Sequence, residues 1–399
     1  MEDGGSSRLN CEYPPPYNVM KIAIFTDTFL PDINGVVTSV VNASKAFAKK
    51  GHQIYIFTVR PKKEVKINLG KNIYIERFKR LRLIKYPDFT LATPKYITCL
   101  KRIRKIKPDI IHIHIPSLLG WSAIISAKAF NIPLVGTYHT FLPDFLKYFP
   151  IPKAEKLKLM KKATWTWTRK FYNRCDTITT PSSAMKKLLI KHRIKKPVIV
   201  LSNGIDTKRF KPKKVKKTGT KLLHVGRISY EKNVDVVLKT FKSIVEKKPS
   251  TILYLAGKGP NLKELEELAK KLKISKNVKF LGVVKDKKLV DLYQTSDIFI
   301  TASTVETEGL VILEAMACGL PVIGVNALAI PTIVKHNKNG FVAKKFNEKQ
   351  LANYTIKLLE NKNLREKFGK ESLKIVQKYS LDNIINELEK IYKNLIKLS

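Results

Sequence analysis

The residues of this chain best able to do chemistry are two carboxylates eight positions apart, Glu306 and Glu314, in the stretch Thr304–Pro321. That stretch reads as a strand end, a loop carrying Glu306 and Glu308, and a helix from about Leu310 to Cys318 closed by Gly319 and Pro321. Glu314 falls mid-helix among Val311, Leu313, Ala315 and Met316, where an unpaired carboxylate is costly, so it requires hydroxyl or cationic partners. Ionised carboxylates only accept, which suits the hydroxyls of a sugar and a ribose, and the helix N-terminus at Gly309, Leu310 and Val311 offers an anion site. Ordinary first-turn charge, favourable to the helix dipole, is the plainer reading of Glu306 and Glu308.

A second set of polar residues lies at other strand ends. Leu223–Asn233 places Gly226 and Arg227 at the end of an apolar run, with Lys232 five residues further near a helix start. An arginine fork and a lysine point charge beside a loop suit a diphosphate, although a solvated pair is the default in a chain with 76 basic residues. Gly35 stands at a turn into a helix, where a small residue lets a phosphate approach backbone N–H groups; turn geometry alone also explains it. His139 follows the run Pro133–Tyr138 and can hydrogen-bond or exchange protons with a bound hydroxyl, or be structural. His112 and His114 alternate on Asp109–Ile115 and face one side, but no further ligand cluster accompanies them, so no metal site is expected.

The elements that must hold these residues alternate short β-branched runs with longer amphipathic ones, the order of parallel strands joined by crossover helices. Strands are predicted at Lys21–Thr26, Gln53–Val59, Asp109–Ile115, Pro133–Tyr138, Thr177–Thr180 and Pro197–Leu201, with a helix over Val36–Lys50 ended by Gly51. After the basic segment Lys208–Lys217 the rhythm restarts at Lys221–Val225, Thr251–Ala256, Val278–Leu281, Asp297–Thr301 and Pro321–Val325; Glu348–Ser399 reads as helices alone. The fold class is therefore α/β, two doubly wound, Rossmann-like parallel sheets, in residues 20–210 and 211–379, with a terminal helix, 380–399, that can pack back on the first domain. In such sheets ligands bind outside the carboxyl ends of the strands, where the polar residues above fall.

Composition narrows the partners less. With 399 residues and 44% hydrophobic content the chain is a folded protein, not a disordered polycation or a single small module. Its net charge of +44 suits nucleic acid, an anionic membrane, a phosphorylated substrate or a lysine-rich habit, and it is spread through both halves. Cys11, Cys99, Cys175 and Cys318 lie far apart with no CxxC pair, which fits a reducing compartment. Residues 1–19, acidic and Pro-rich with no apolar segment, read as a disordered leader rather than a secretory signal. The uncharged stretches Ile110–Ala127 and Ala315–Val334 approach the ~20 residues of a membrane span, but their His, Gly and Pro content reads as buried strands and turns.

Six motifs in order carry a family resemblance covering residues 20–399. Asn34-Gly35-Val36, Gly136-Thr-Tyr-His-Thr140, Ser202-Asn-Gly-Ile-Asp206, Gly226-Arg227 with Lys232-Asn233, Gly257-Lys-Gly-Pro260, and Glu306-Thr-Glu-Gly-Leu-Val-Ile-Leu-Glu314 resemble a retaining glycosyltransferase of family 4, with the GT-B fold. The resemblance implies that Gly35, Arg227 and Lys232 bind the donor diphosphate, that Glu306 contacts the transferred sugar and that His139 lies beside the sugar and the β-phosphate. It also implies that Glu314 holds the ribose, that backbone near Val283 holds the base, and that Gly309, Leu310 and Val311 line the donor site. Such enzymes retain anomeric configuration by front-face attack, Arg227 and Lys232 stabilising the leaving phosphate, with no metal and no cofactor beyond the nucleotide sugar. A single Gly in the first loop departs from the many relatives that have two.

The acceptor reading rests on Tyr138-His139-Thr140 followed by aromatic residues and on Glu306-Thr-Glu-Gly-Leu-Val311, which look like the branch that glucosylates diacylglycerol. Lys147–Arg174 holds nine basic residues and one acid; as a helix it aligns Leu157, Met160, Ala163, Trp167 and Phe171, with Lys158, Lys162 and Arg169 roughly opposite and Trp165 at their border. A basic amphipathic helix with tryptophan can lie in a headgroup interface, and a core-packed helix with a solvated basic face is the alternative. The expected function is transfer of glucose from UDP-glucose to a lipid such as diacylglycerol, by a cytoplasmic protein held peripherally on the inner face of the membrane. GDP-mannose with a phosphoinositide, or a soluble sugar or glycan acceptor, are the alternatives. No helix-turn-helix, RNA-recognition motif or zinc finger is visible, so nucleic acid is not an expected partner.

Overall fold

The computed structural model describes residues 19–32, 34–61, 65–82, 90–93, 96–139, 154–214 and 220–399. The leader expected at residues 1–19 lies, apart from Val19, outside the described residues, as do the aromatic residues following Thr140. The strands of the first domain are β1 (Lys21–Phe25), β2 (Gln53–Val59), β3 (Ile73–Phe78), β4 (Arg80–Arg82), β5 (Thr90–Ala92), β6 (Ile110–Ile113), β7 (Leu134–Thr137), β8 (Thr177–Thr180) and β9 (Val198–Val200). β4 and β5 pair antiparallel as a separate hairpin; the other seven run parallel in the order β3-β2-β1-β6-β7-β8-β9. The second sheet, β10 (Thr220–Val225), β11 (Thr251–Ala256), β12 (Val278–Gly282), β13 (Ile298–Ile300), β14 (Val322–Val325) and β15 (Gly340–Ala343), is parallel in the order β12-β11-β10-β13-β14-β15.

Central strands are apolar on both faces because helices cover both, as in Ile110–Ile113 and Ile298–Ile300, which are wholly buried. In each sheet the chain reverses direction of winding once, between β1 and β6 and between β10 and β13, and crevices open beyond the strand ends at those two points. Three elements escaped the sequence reading. β3, IYIERF, is a half-buried edge strand with a charged pair in it, β15 is four residues beginning with Gly340, and the hairpin strands are three residues each.

Both uncharged stretches break into a strand and helices: Ile110–Ile113 then Leu118–Ala129, and the end of Leu310–Ala317, then Val322–Val325 and Ile330–Ile333. Among the described residues no helix is long and apolar enough to cross a membrane.

The last helix, Leu381–Leu398, returns to the first sheet's side. Ile384, Ile385, Leu388 and Tyr392 share one stripe and pack with Met20, Ile22, Ile24 and Phe47, each such side chain stabilising by roughly 1.5–3 kcal/mol. Glu389 on the same helix accepts from Lys50 and lies 2.6 Å from Lys393. The two crossings between the sheets run side by side: Ile205 N–H donates to Tyr379 O and Leu381 N–H to Ile205 O, both at 2.8 Å.

Candidate active site

The second domain's half of the site is built on the loops after β10, β11 and β13. Gly226 N–H donates to Ala256 O (3.0 Å) and Ile228 N–H to Lys258 O (2.9 Å), so the loop bearing exposed Arg227 lies directly on the Gly257–Pro260 loop. Lys232 ends a short 3-10 turn, and Asn233, in the left-handed region with φ 50°, starts the helix Val234–Lys247. Asn233 Nδ2 donates to Ala302 O (3.0 Å), which ties this turn to the loop after β13. Lys232 Nζ then reaches Glu306 Oε1 at 2.6 Å, with side chains only 20% and 12% exposed. Burial pushes Glu306 up, but Lys232, aided by Ser303 and His224, outweighs it and holds the carboxyl below the usual carboxylate range.

Consecutive residues of the loop after β13 face different partners. Glu306 turns to Lys232 in its own domain, Thr307 Oγ1 donates to the carbonyl of His139 in the first domain (2.9 Å), and Glu308 turns to the linker. Glu308 is buried and accepts from Ser202 Oγ (2.5 Å), Asn203 N (2.7 Å) and Asn203 Nδ2. First-turn charge therefore does not describe Glu308: it is a buried acceptor for three donors of the Ser202-Asn-Gly-Ile-Asp206 motif, and burial still pushes it up to about 7.

The first domain supplies the opposing wall. Asn34 caps the helix Gly35–Lys49 by accepting from Val37 N, and Gly35 opens it so close to the second domain that a Cβ there would stand 3.5 Å from Leu310 Cδ1. Asp27, just past β1, is buried; it accepts from Ala92 N (2.8 Å) and from Ser117, whose hydroxyl in turn caps the helix Leu118–Ala129. His139, 7% exposed, lies one residue past Tyr138 with Nε2 2.7 Å from Nδ1 of His114. Of the residues singled out in the sequence, Lys232 and Glu306 meet within the second domain, while Gly35 beside Leu310 and His139 with the Thr307 loop are brought together from the two domains. Val283, past the end of β12, is 49% exposed.

With this geometry in view, comparisons decide the family. Residues 33–209 match the profile described as glycosyltransferase family 4 and residues 205–374 that of glycosyl transferases group 1. An alpha-monoglucosyldiacylglycerol synthase of Streptococcus pneumoniae is 31% identical over 318 residues, covering 76% of this chain and 70% of that one. The chain belongs to glycosyltransferase family 4. An alpha-monoglucosyldiacylglycerol synthase of Acholeplasma laidlawii is 28% identical over 94% of this chain and 98% of its own. The fold is that of Anabaena Alr3699/HepE, solved in complex with UDP-glucose: TM-score 0.73 at 18% identity, covering 94% of this chain and 100% of that one.

In this glycosyltransferase the helix Leu310–Ala317 starts at Gly309 and carries half-buried Glu314, which accepts from Tyr293 OH (2.7 Å). The tyrosine is the hydroxyl partner that the mid-helix position demanded, and its oxygen also lies 3.2 Å from Val311 O. Burial pushes Glu314 up to about 7 and Asp27 up to about 6, as it does Glu308. Burial has the opposite effect on six imidazoles: His112 and His139 fall to about 3, His224 to about 4, His114 well below the ordinary value, and His52 and His192 are lowered too.

The two sets act on stability with opposite sign. Each imidazole's folded pKa lies below the unfolded 6.5, so its contribution is complete above that pH and is lost as pH falls. Each of the three carboxyls has a folded pKa above its unfolded value, so its contribution is complete at low pH and is lost as pH rises through 6 to 7. The enzyme is expected to show a nearly level urea midpoint between about pH 6.5 and 7.5 and a falling one below about pH 6, at roughly 1.4 kcal/mol per pH unit for each net proton. A midpoint that rises steadily down to pH 5 would contradict neutral imidazoles.

The basic helix corrects the sequence reading in part. It is described over Ala154–Tyr172; Lys147–Lys153 lie outside the described residues. The stripe from Met160 to Phe171 is one face only in angle. Phe171 is buried at the helix's C-terminal end, whereas Met160 and Trp167 are 38% and 41% exposed, because among the described residues the first sheet's core reaches only that end. Trp165 is half-buried: its ring stacks on His192 at 3.6 Å and packs on the core. Trp167 donates its Nε1 proton to Pro116 O (3.0 Å), just past β6. Lys158 and Lys162 are exposed, Arg169 half-buried.

Proposed function

We propose that the chain transfers glucose from UDP-glucose to diacylglycerol or a closely related lipid, with retention of anomeric configuration. The observation that carries this reading is the half-buried Lys232–Glu306 pair, set past the ends of β10 and β13 on a loop whose Thr307 reaches His139 and which leads into the helix whose Leu310 adjoins Gly35. A carboxylate that accepts from sugar hydroxyls and a cation that neutralises a diphosphate are held 2.6 Å apart, so one donor can engage both groups. Arg227 and Lys232 stabilise the charge growing on the departing phosphate, Gly35 lets it approach the first domain, and Glu314, with Leu310 and Val311, holds the nucleoside. The second domain, from about residue 211, then binds the donor and the first, from about residue 20, the acceptor. The names of the two relatives support glucose and diacylglycerol, and the UDP-glucose complex of the structural neighbour supports the donor.

The test is a transfer assay in EDTA with UDP-glucose or GDP-mannose, on phosphatidylglycerol vesicles with and without diacylglycerol, the product's anomeric centre being read by NMR. An α-linked glucolipid made only with UDP-glucose and diacylglycerol is expected. No lipid product from either donor would overturn the lipid assignment, and dependence on an added divalent ion would overturn the role given to Arg227 and Lys232.

Membrane contact is assigned to the exposed part of the basic helix, where Leu159 (68% exposed) lies on the helix surface between Lys158 and Lys162 on one side and Met160 and Trp167 on the other. At about 1 kcal/mol per basic residue near an anionic surface, replacing Lys158 and Lys162 with Ala is expected to weaken binding to phosphatidylglycerol vesicles roughly thirtyfold. Vesicle cosedimentation checks this, and unchanged binding would remove the helix from the interface.

A further inference from the structure

Where the chain leaves the first domain it turns, and a residue of the second domain holds the turn. Leu201, one residue past β9, still pairs with the first sheet through its N–H to Thr180 O (2.9 Å). Ser202 Oγ then accepts from Gly204 N–H (3.0 Å), and Gly204, at φ 78°, lies so close to the returning chain that a Cβ there would stand 3.1 Å from Leu381 Cα. Ile205 is bonded to that returning chain through Tyr379 O and Leu381 N–H. The two crossings therefore form one hinge, with Ser202–Gly204 at its first-domain end.

Glu308 closes on that end. It is 4% exposed; its Oε1 accepts from Ser202 Oγ and Asn203 N, and its Oε2 from Asn203 Nδ2. Two acceptor oxygens serve three donors, whereas an apolar side chain at this buried position would deprive all three of their acceptor. The residues before it are attached elsewhere. Glu306 pairs with Lys232 and its carbonyl accepts from Ala329 N–H (3.0 Å), both in the second domain, and Thr307 donates to His139 O in the first. A shift of this loop against the turn thus displaces Glu306 and the His139 contact together.

We propose that Glu308 is a positioning residue that locks the hinge to the donor loop, so that the angle between the domains and the place of Glu306 are set together. This rests on the functional reading above for what the lock serves, but one of its tests needs no turnover. In that reading UDP is engaged by Arg227, Lys232 and Glu314 of one domain, so it binds whether or not the lock holds. Transfer also needs Gly35 and His139 of the other domain, so it depends on the lock.

Glu308→Met removes the acceptors and keeps the length of the side chain. Glu308→Gln keeps the contacts in a new pattern: its oxygen accepts from Ser202 Oγ and Asn203 N, and its amide donates to the Asn203 side-chain oxygen once that amide turns over. The Gln variant is expected to hold kcat within about threefold and the Met variant to lose about tenfold or more, with calorimetric UDP affinity unchanged in both. Ser202→Ala, a milder break, is expected to lose about threefold in kcat and to add nothing to the loss of the Met variant. A Met variant with wild-type kcat, a Gln variant as impaired as the Met variant, or equal losses of kcat and UDP affinity would overturn the proposal. Where the Met variant does not fold, wild-type kcat in Ser202→Ala would overturn it. Small-angle X-ray scattering of the full chain, with and without UDP, is expected to give the Met variant a larger radius of gyration than the wild type and the Gln variant the wild-type value; an unchanged radius in the Met variant would also overturn it. Should the wild type transfer nothing from UDP-glucose, the functional reading fails while the scattering comparison still decides whether Glu308 locks the hinge.

Discussion

Glu306→Gln is expected to lower kcat by about two to three orders of magnitude while leaving the chain folded. The size follows from how the carboxylate is held. It is 12% exposed, it lies 2.6 Å from Lys232 Nζ, and its carboxyl is held in the charged form chiefly by that lysine against the pull of burial. In the proposed reaction the lysine's charge goes to the donor diphosphate and the carboxylate's acceptors to the sugar, and the ion pair is what keeps each group charged and placed beforehand. A Gln keeps the shape and one acceptor oxygen, which is why folding survives, but it offers the sugar a neutral amide. Lys232→Met acts on the other partner. It strands Glu306 as a buried carboxylate, so its carboxyl should rise into the neutral range and stability should fall as well, by about 3–5 kcal/mol if the charge persists. The two substitutions combined should cost far less than the sum of the singles, since either alone breaks the same unit. Initial rates with UDP-glucose beside thermal melts check both. A Glu306→Gln enzyme retaining most of its activity would take the residue out of the reaction.

How much of this site could be read beforehand depended on how local its cause is. The strands that line the cleft, β1, β6, β7, β10 and β13, are buried on both faces and stand out as apolar runs, and the polar residues at their ends follow from the parallel order. The edge strand β3 was not legible because it is only half-buried, which permits Glu76 and Arg77 in it; β15 was not because it is four residues long and opens on Gly340, where a Cβ would stand 2.0 Å from the backbone oxygen of Val322. The demand that Glu314 find a hydroxyl was legible from its apolar neighbours; that the hydroxyl is Tyr293 was not, because the contact spans 21 residues and two helices. Thr307 and Glu308 show the same limit more sharply. Nothing in their spacing distinguishes a loop polar residue in water from one bonded to a strand end 168 positions earlier or to the linker. The basic helix failed in a different way: periodicity correctly put Met160 and Phe171 on one side but carried no information about where the core beneath that side stops.

Gly259→Ala is expected to be the most damaging single-methyl change in the donor site. A Cβ at Gly259 would stand 1.7 Å from the carbonyl oxygen of Ile228 and 2.3 Å from its carbon; at Gly257 the corresponding distance is 1.8 Å to the oxygen of Gly226. These obstacles are backbone, so no side-chain rotation relieves them. The Gly226–Ile228 loop must move by more than 1 Å, roughly the shortfall from a normal contact. That loop is bonded to the Gly257–Gly259 segment through Gly226 N–H to Ala256 O and Ile228 N–H to Lys258 O, and it carries Arg227. Moving it breaks those bonds and displaces the guanidinium from the position proposed to meet the diphosphate. The expected cost is about 3 kcal/mol or more in stability, with a loss of about a hundredfold in UDP-glucose affinity in whatever protein folds. Gly35→Ala separates the two effects. Its Cβ would meet only Leu310 Cδ1 at an ordinary 3.5 Å, so the urea midpoint should hold while UDP-glucose affinity falls, because the methyl stands where a phosphate must approach the start of the Gly35–Lys49 helix. Urea titration and calorimetric titration with UDP measure the two quantities separately. A Gly259→Ala protein as stable as the wild type would mean that the two glycine loops are not in the contact described, and an unchanged UDP affinity in Gly35→Ala would remove the first domain from the phosphate.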